Sequence, residues 1–371
     1  MQKVRALIVD DSVVYRTQIR AALQLLPWVE VVGTASNGWA ALERIPETKP
    51  DLVILDLEMP SLDGLKTLEK LAQMGCKAKI LVFSSQSERG ARITMDALEA
   101  GASDFIAKPG SLDRDPAARS LTPAEKIKAL MLPKLKAFFP RQAEGVAVVK
   151  SPPKKEHSAY PTVVWDLFQP EIVVIGSSTG GPTVLEKVFT SLAAPLRCPM
   201  VIVQHMPPIF TAMFAERLAK ASGLDVQEAR DGDLLETGRV YLAPGDYHLR
   251  LTGTAPNVRL RLDQGPLINS VRPAVDPLFE TAAERYRHRC LAFVLTGMGA
   301  DGRAGAEAIK RAGGAVVIQD EASCVVFGMP GAVRATGAYD KIGNPQEIIE
   351  ILRDKVGSRP IGKKAAGWTR E

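Results

Sequence analysis

At 371 residues the chain is longer than a single hydrophobic core usually serves, so two domains are expected. Its hydrophobic share of 46% is ordinary for a globular protein, and no apolar run approaches the roughly 20 residues of a membrane span, which argues against membrane insertion. The net charge of +5 collects in residues 111–169 and in a tail where Arg359, Lys363, Lys364 and Arg370 face only Glu371, so no basic face for nucleic acid is expected.

The chain enters its first apolar run directly at Arg5-Ala6-Leu7-Ile8-Val9, without a signal-peptide pattern, and a cytoplasmic location is expected. Strands are predicted at Ala6–Val9, Val29–Gly33, Leu52–Leu55, Ile80–Phe83 and Asp104–Ala107, with amphipathic stretches such as Tyr15–Leu26 and Leu65–Gln73 between them. Near-continuous apolar strands joined by helices imply a parallel sheet covered on both faces, here a doubly wound domain over residues 1–110. Residues 111–169 break the rhythm. Asp113-Arg114-Asp115-Pro116 and Ser151-Pro152-Pro153-Lys154-Lys155 mark loops around one helix from Pro123 to about Phe139, so this segment reads as a partly helical linker. From residue 170 to 355 the alternation resumes, with strands at Ile172–Ile175, Met200–Val203, Val240–Leu242, Leu291–Leu295 and Ala315–Ile318. A hairpin at Tyr247–Leu251 and Val258–Leu262 interrupts this second α/β domain, and a basic tail follows over 356–371. Four cysteines, Cys76, Cys198, Cys290 and Cys324, form no CxxC pair, which indicates neither a disulfide framework nor a zinc site.

In the first domain Asp10 and Asp11 follow the first strand, Asp56 the third, Ser84 the fourth and Lys108 the fifth. In a parallel sheet these positions share the carboxyl edge, where open α/β folds bind ligands. Three carboxylates meeting there repel one another unless a cation neutralises them, and an all-oxygen set suits Mg²⁺. These residues, with Asp56-Leu57-Glu58-Met59-Pro60, Asp63-Gly64 and Lys108-Pro109, resemble a flavodoxin-like response-regulator receiver domain over about residues 3–110. The resemblance implies that Asp56 accepts a phosphoryl group from a sensor histidine kinase, with Mg²⁺ held by Asp10, Asp11 and Asp56. It also implies that Ser84 and Lys108 grip the phosphoryl oxygens and that Phe105 is the aromatic switch.

In the second domain Gly176-Ser177-Ser178-Thr179-Gly180-Gly181 lies between a buried strand and a helix start. No Lys followed by Ser or Thr completes a phosphate loop there, whereas Gly-x-Ser-x-Gly around Ser178 has the spacing of a nucleophile elbow. A serine nucleophile needs a base and an acid that holds the base in the right tautomer. Of four histidines only His205 ends a buried-strand pattern, Met200-Val201-Ile202-Val203-Gln204. Asp301 sits on the Gly-rich turn after Leu291–Leu295, with Asp320 and Glu321 as rivals for the acid.

Together with Gln204-His205-Met206-Pro207-Pro208, Ala243-Pro244-Gly245-Asp246, Leu295-Thr296-Gly297-Met298-Gly299-Ala300-Asp301-Gly302 and Glu321 through Pro330, these residues resemble the chemotaxis protein-glutamate methylesterase family, CheB. The resemblance implies Ser178 as nucleophile, His205 as general base and acid, Asp301 as orienter and backbone N–H groups near Thr179 and Met298 as oxyanion donors. No cofactor is implied at the esterase site. It further implies demethylation of glutamyl methyl esters on methylated chemoreceptors, glutamine deamidation, and a receiver that covers the catalytic face until phosphorylated. Ser177, often alanine in the family, is a departure, as are the long linker and the tail. Two rivals stay open: a DNA-binding output, which the strand-rich second half disfavours, and an esterase acting on a protein outside chemotaxis.

Overall fold

The computed structural model describes residues 2–109, 120–143, 160–192 and 195–357. The loops expected at 113–116 and 151–155, and the basic tail beyond Gly357, lie outside these residues. The first sheet alternates β1 (Val4–Val9), α1 (Val13–Gln24), β2 (Val29–Ala35), α2 (Gly38–Thr48), β3 (Leu52–Asp56), α3 (Gly64–Gln73), β4 (Lys79–Ser84), α4 (Glu88–Glu99) and β5 (Asp104–Ala107). Its order is β2-β1-β3-β4-β5 and every pairing is parallel. Leu7, Ile8, Val53, Ile54, Leu81 and Val82 point to alternate faces and all are buried, so both faces must be covered by helices. Ser12, Asn37, Asp63 and Ser87 cap the four helices by accepting backbone N–H groups, which fixes where each begins.

The helix expected near 123–139 is α5 (Pro123–Phe138), opened by a capping box between Thr122 and Glu125 and followed by the short α6 (Pro140–Ala143). Its buried Ile127, Met131, Leu135 and Phe138 join one apolar cluster with Ile19, Leu23, Leu81 and Phe83. It therefore packs on the first sheet.

The second unit contains β6 (Ile172–Ser177), α7 (Gly181–Thr190), β7 (Met200–Gln204), α8 (Phe210–Ser222), β8 (Asp225–Glu228), β9 (Arg239–Leu242), then the antiparallel hairpin β10 (His248–Thr252) and β11 (Arg259–Asp263), a separate two-stranded sheet. It continues through α9 (Val275–Tyr286), β12 (Cys290–Val294), α10 (Arg303–Arg311), β13 (Ala315–Gln319), α11 (Met329–Thr336), β14 (Lys341–Gly343) and α12 (Pro345–Val356). The seven main strands run in the order β14-β13-β12-β6-β7-β9-β8, all parallel. The chain moves from β6 to β7 on one side and returns to β12 on the other, so strand order reverses at β6. Open α/β sheets place their ligand crevice at such a point.

Candidate active site and acidic pocket

β6 delivers Ser178 to the carboxyl edge. Ser177 pairs with Gln204 in the parallel register, so Ser178 and His205 are the next residues on adjacent strands, and His205 N donates to Ser177 O at 3.1 Å. Gly180 turns the chain into α7 at φ 78°, and a Cβ there would come within 2.5 Å of Val325, so the tight turn after Ser178 requires glycine. Gly297 lies equally close from the other side, where a Cβ would be 2.8 Å from that of Ser178. Ser177 contributes to this frame. Its Oγ donates to Gln204 Oε1 at 2.7 Å, and Gln204 Nε2 donates to Ser178 O at 2.9 Å.

β12, the neighbour of β6 on its other side, leads to Asp301. His205 Nε2 meets Asp301 Oδ2 at 2.8 Å, with the imidazole only about 10% exposed. Asp301 also accepts from the backbone N–H of Val275 (2.6 Å), Asp276 (3.1 Å) and Gly302 (3.0 Å) and from Asn269 Nδ2 (2.9 Å). Burial pushes this carboxyl up, but the His205 bond and charge and the backbone N–H groups outweigh it and hold Asp301 below the usual carboxylate range. The rival Asp320 instead accepts from Ser323, through both its N–H and its hydroxyl. Among the described residues, neither Ser178 Oγ nor His205 Nδ1 has a side-chain hydrogen bond, and the N–H groups of Thr179 and Met298 donate to no protein acceptor. His248 is structural, since its Nε2 contacts Pro266 O at 2.9 Å and its Nδ1 accepts from Ala274 N at 3.2 Å. Sequence reasoning missed Asn269 and Asp276. The turn-forming Asn269-Ser270 just before the helix start at Asp276-Pro277 was the available signal.

In the first sheet, carboxylate oxygens of Asp10, Asp11 and Asp56 lie within 4.8 Å of one another. Lys108 Nζ approaches Asp56 Oδ2 at 2.8 Å and Asp10 Oδ2 at 3.6 Å, and among the described residues the buried Asp10 Oδ2 has no hydrogen-bond partner. Burial raises Asp10 to about 6, with Lys108 opposing and the Asp56 charge adding to the rise. An orphaned buried oxygen in an all-carboxylate set fits a hard divalent cation such as Mg²⁺. Ser84 Oγ is engaged with α4, donating to Gly90 O at 3.2 Å and meeting Thr94 Oγ1 at 2.6 Å.

The two sheets meet beside Ser178 and Thr179. Phe105 stacks on Phe210 at 4.6 Å between ring centroids. One residue earlier, the buried Asp104 accepts from Thr179 Oγ1 at 2.5 Å and pairs with Lys134 of α5 at 2.5 Å. Arg217 of α8 binds Asp96 (2.5 Å), Glu99 and its own sheet's Glu186 (2.9 Å), while Val326, Met298 and Val325 pack against the apolar cluster containing α5.

A family model for the CheB methylesterase matches residues 173–352, and one for the response regulator receiver domain matches residues 6–115. The protein-glutamate methylesterase/protein-glutamine glutaminase of Trichodesmium erythraeum is 41% identical over 357 residues, spanning 96% of this chain and 100% of that protein. The chain belongs to the CheB methylesterase family. Proteins of the same name from Nocardioides sp. and Thermotoga maritima are 42% and 40% identical, covering 97% and 94% of this chain and 98% of each relative. As a CheB family member the chain is an ester hydrolase of chemotaxis regulated by its receiver. No helix among the described residues is long and apolar enough to cross a membrane.

Proposed function

We propose that this chain hydrolyses glutamyl methyl esters on the cytoplasmic helices of chemoreceptors to glutamate and methanol, and hydrolyses glutamine amides there to glutamate and ammonia. Ser178 Oγ attacks the carbonyl carbon and passes its proton to His205 Nδ1, while Asp301 holds the opposite ring nitrogen. The Thr179 and Met298 N–H groups receive the developing oxyanion, a role in which one lost donor typically costs about 100- to 1,000-fold. His205 then protonates the leaving methoxide or amine, and water resolves the acyl-serine by the reverse proton route. The observation that carries this reading is the His205 Nε2–Asp301 Oδ2 contact at 2.8 Å, on strand tips flanking that of Ser178. Ser178→Ala is expected to abolish methanol release from methylated receptors while Asp56 still takes up phosphate. Retained methanol release would refute the assignment.

In the receiver, Asp56 accepts the phosphoryl group of a sensor histidine kinase. Asp10, Asp11 and Asp56 would hold Mg²⁺, whose charge, when bound, offsets that of the carboxylates and the incoming phosphoryl oxygens. Ser84 and Lys108 turn toward those oxygens, and Phe105 and Asp104 leave Phe210 and Thr179, which uncovers the esterase site. The working division is a receiver over 1–110 that also carries α5, the remainder of a linker to 169, a catalytic unit over 170–355 and a tail over 356–371. The site of action is the cytoplasm, where receptor helices and kinase are reached without crossing a membrane.

A further inference from the structure

Behind the His205–Asp301 pair lies a second buried carboxylate, joined to the first by one amide. Ile268 and Val271 exchange both backbone hydrogen bonds, at 3.2 and 3.0 Å, and close a two-residue turn in which Asn269 and Ser270 have φ of 51° and 65°. Two successive left-handed residues make a primed hairpin turn, a conformation that asparagine tolerates better than most residues. The turn presents Asn269 Nδ2 to Asp301 Oδ1 and to Asp276 Oδ2, both at 2.9 Å. Asp276 Oδ1 accepts from Gly305 N at 2.8 Å.

The two carboxyls titrate in opposite directions. Burial, helped by the charge of Asp301, raises Asp276 to about 6, whereas Asp301 is held low by His205 and its backbone donors. Besides Asp301, the charged group felt by Asp276 is Glu280 of α9, and His205 is the titratable group facing Asp301. Without a donor between them, two buried carboxylates would share a proton or turn apart. Either change disturbs the oxygen that must face the imidazole.

We propose that Asn269 is a positioning residue of the esterase: its amide bridges Asp301 and Asp276 and so keeps the Asp301 carboxylate aimed at His205 Nε2. The inference rests on the Ser178–His205–Asp301 reading. Asn269 touches no reacting atom and acts through Asp301.

The test uses the full chain, activated with Mg²⁺ and acetyl phosphate, with methanol release from methylated receptor membranes as the readout. Asn269→Gly keeps the left-handed turn and removes only the amide. It is expected to lower kcat by about 10- to 100-fold with KM little changed, as expected for a misplaced catalytic group. Asn269→Asp places a further negative charge beside Asp301, which favours the imidazolium and moves the acidic limb of kcat/KM to higher pH by about half a unit or more. Ser270→Gly, a control for the turn, should leave both quantities unchanged. A residue that only supported the loop would lower the melting temperature without moving the acidic limb. If Ser178→Ala is inactive while Asn269→Gly and Asn269→Asp match the wild type in kcat and pH profile, the positioning role is overturned and the triad stands. If Ser178→Ala remains active, both fall.

Discussion

Asp10 and Asp301 are both buried aspartates beyond the carboxyl ends of strands in parallel sheets, yet their surroundings oppose each other. Asp301 accepts five hydrogen bonds, from His205, Asn269 and three backbone N–H groups, and is held below its ordinary range. Asp10 keeps a buried oxygen with no hydrogen-bond partner among the described residues and is raised to about 6. A saturated carboxylate is fixed in charge and direction, which suits orienting an imidazole. An unsaturated one among like charges has its affinity unspent and suits the cation and phosphoryl group proposed for that site. Burial is common to both, and the supply of donors decides which role each can fill.

The sharpest way to break this contrast is Asp301→Asn, which keeps the shape and removes the charge. Ester hydrolysis is expected to fall about 1,000- to 10,000-fold, because the wrong imidazole tautomer is favoured, with Asp56 phosphorylation intact. A loss under tenfold in the methanol assay would mean that the saturated carboxylate is not needed as an anion. Next comes Asp104→Asn, which weakens the grip on Thr179 and Lys134. A hydrogen bond to a charged group contributes about 1.5 to 3 kcal/mol, so unphosphorylated activity should rise by as much as 10- to 100-fold. Comparing basal and acetyl phosphate-stimulated rates checks this, and an unchanged basal rate would show that the contact does not restrain the enzyme.

The smallest effect concerns Asp10 itself. Its folded pKa of about 6 lies above the ordinary 3.8, so folding is favoured by this group at low pH and penalised as pH rises through 6. In metal-free protein Asp10→Asn should therefore raise stability at pH 7.5 by on the order of 1 to 2 kcal/mol, read as a higher Tm. Mg²⁺ affinity of the wild type should fall as pH drops below about 6, since the same oxygen takes up a proton. Titration calorimetry at pH 5.5 and 7.5 measures that difference.

Much of this was legible in the residues. Central strands announce themselves as unbroken apolar runs, so Ile172–Ile175 and Met200–Val203 were found within β6 and β7. β8, with the polar sequence Asp225-Val226-Gln227-Glu228, and the three-residue β14 were not, because an edge strand buries less and needs no such run. The spacing of Ile127, Met131 and Leu135 gave α5 its apolar stripe, but not the surface that stripe would cover. For the acid, Asp301 and Asp320 both stand beyond strand ends, and by pattern only the glycines around Asp301 favour it. Strand order separates them: β12 adjoins β6, whereas β13 lies one strand further out, about 4.8 Å from β12. Strand order is a product of long-range packing, and no local signal carried it. Nor did any local signal pair Asn269 with Asp301, 32 residues further along the chain.

β5 deserves a last remark for its brevity. It runs only from Asp104 to Ala107, with Lys108 immediately beyond. At one end it holds the residue that grips Thr179, and past the other the ammonium that faces Asp56. At roughly 3.3 Å per residue this rod is about 13 Å long, and paired to β4 it has little freedom to stretch or bend. On the proposed reading, input and output hang from opposite tips of a single stiff member, barely more than a nanometre apart.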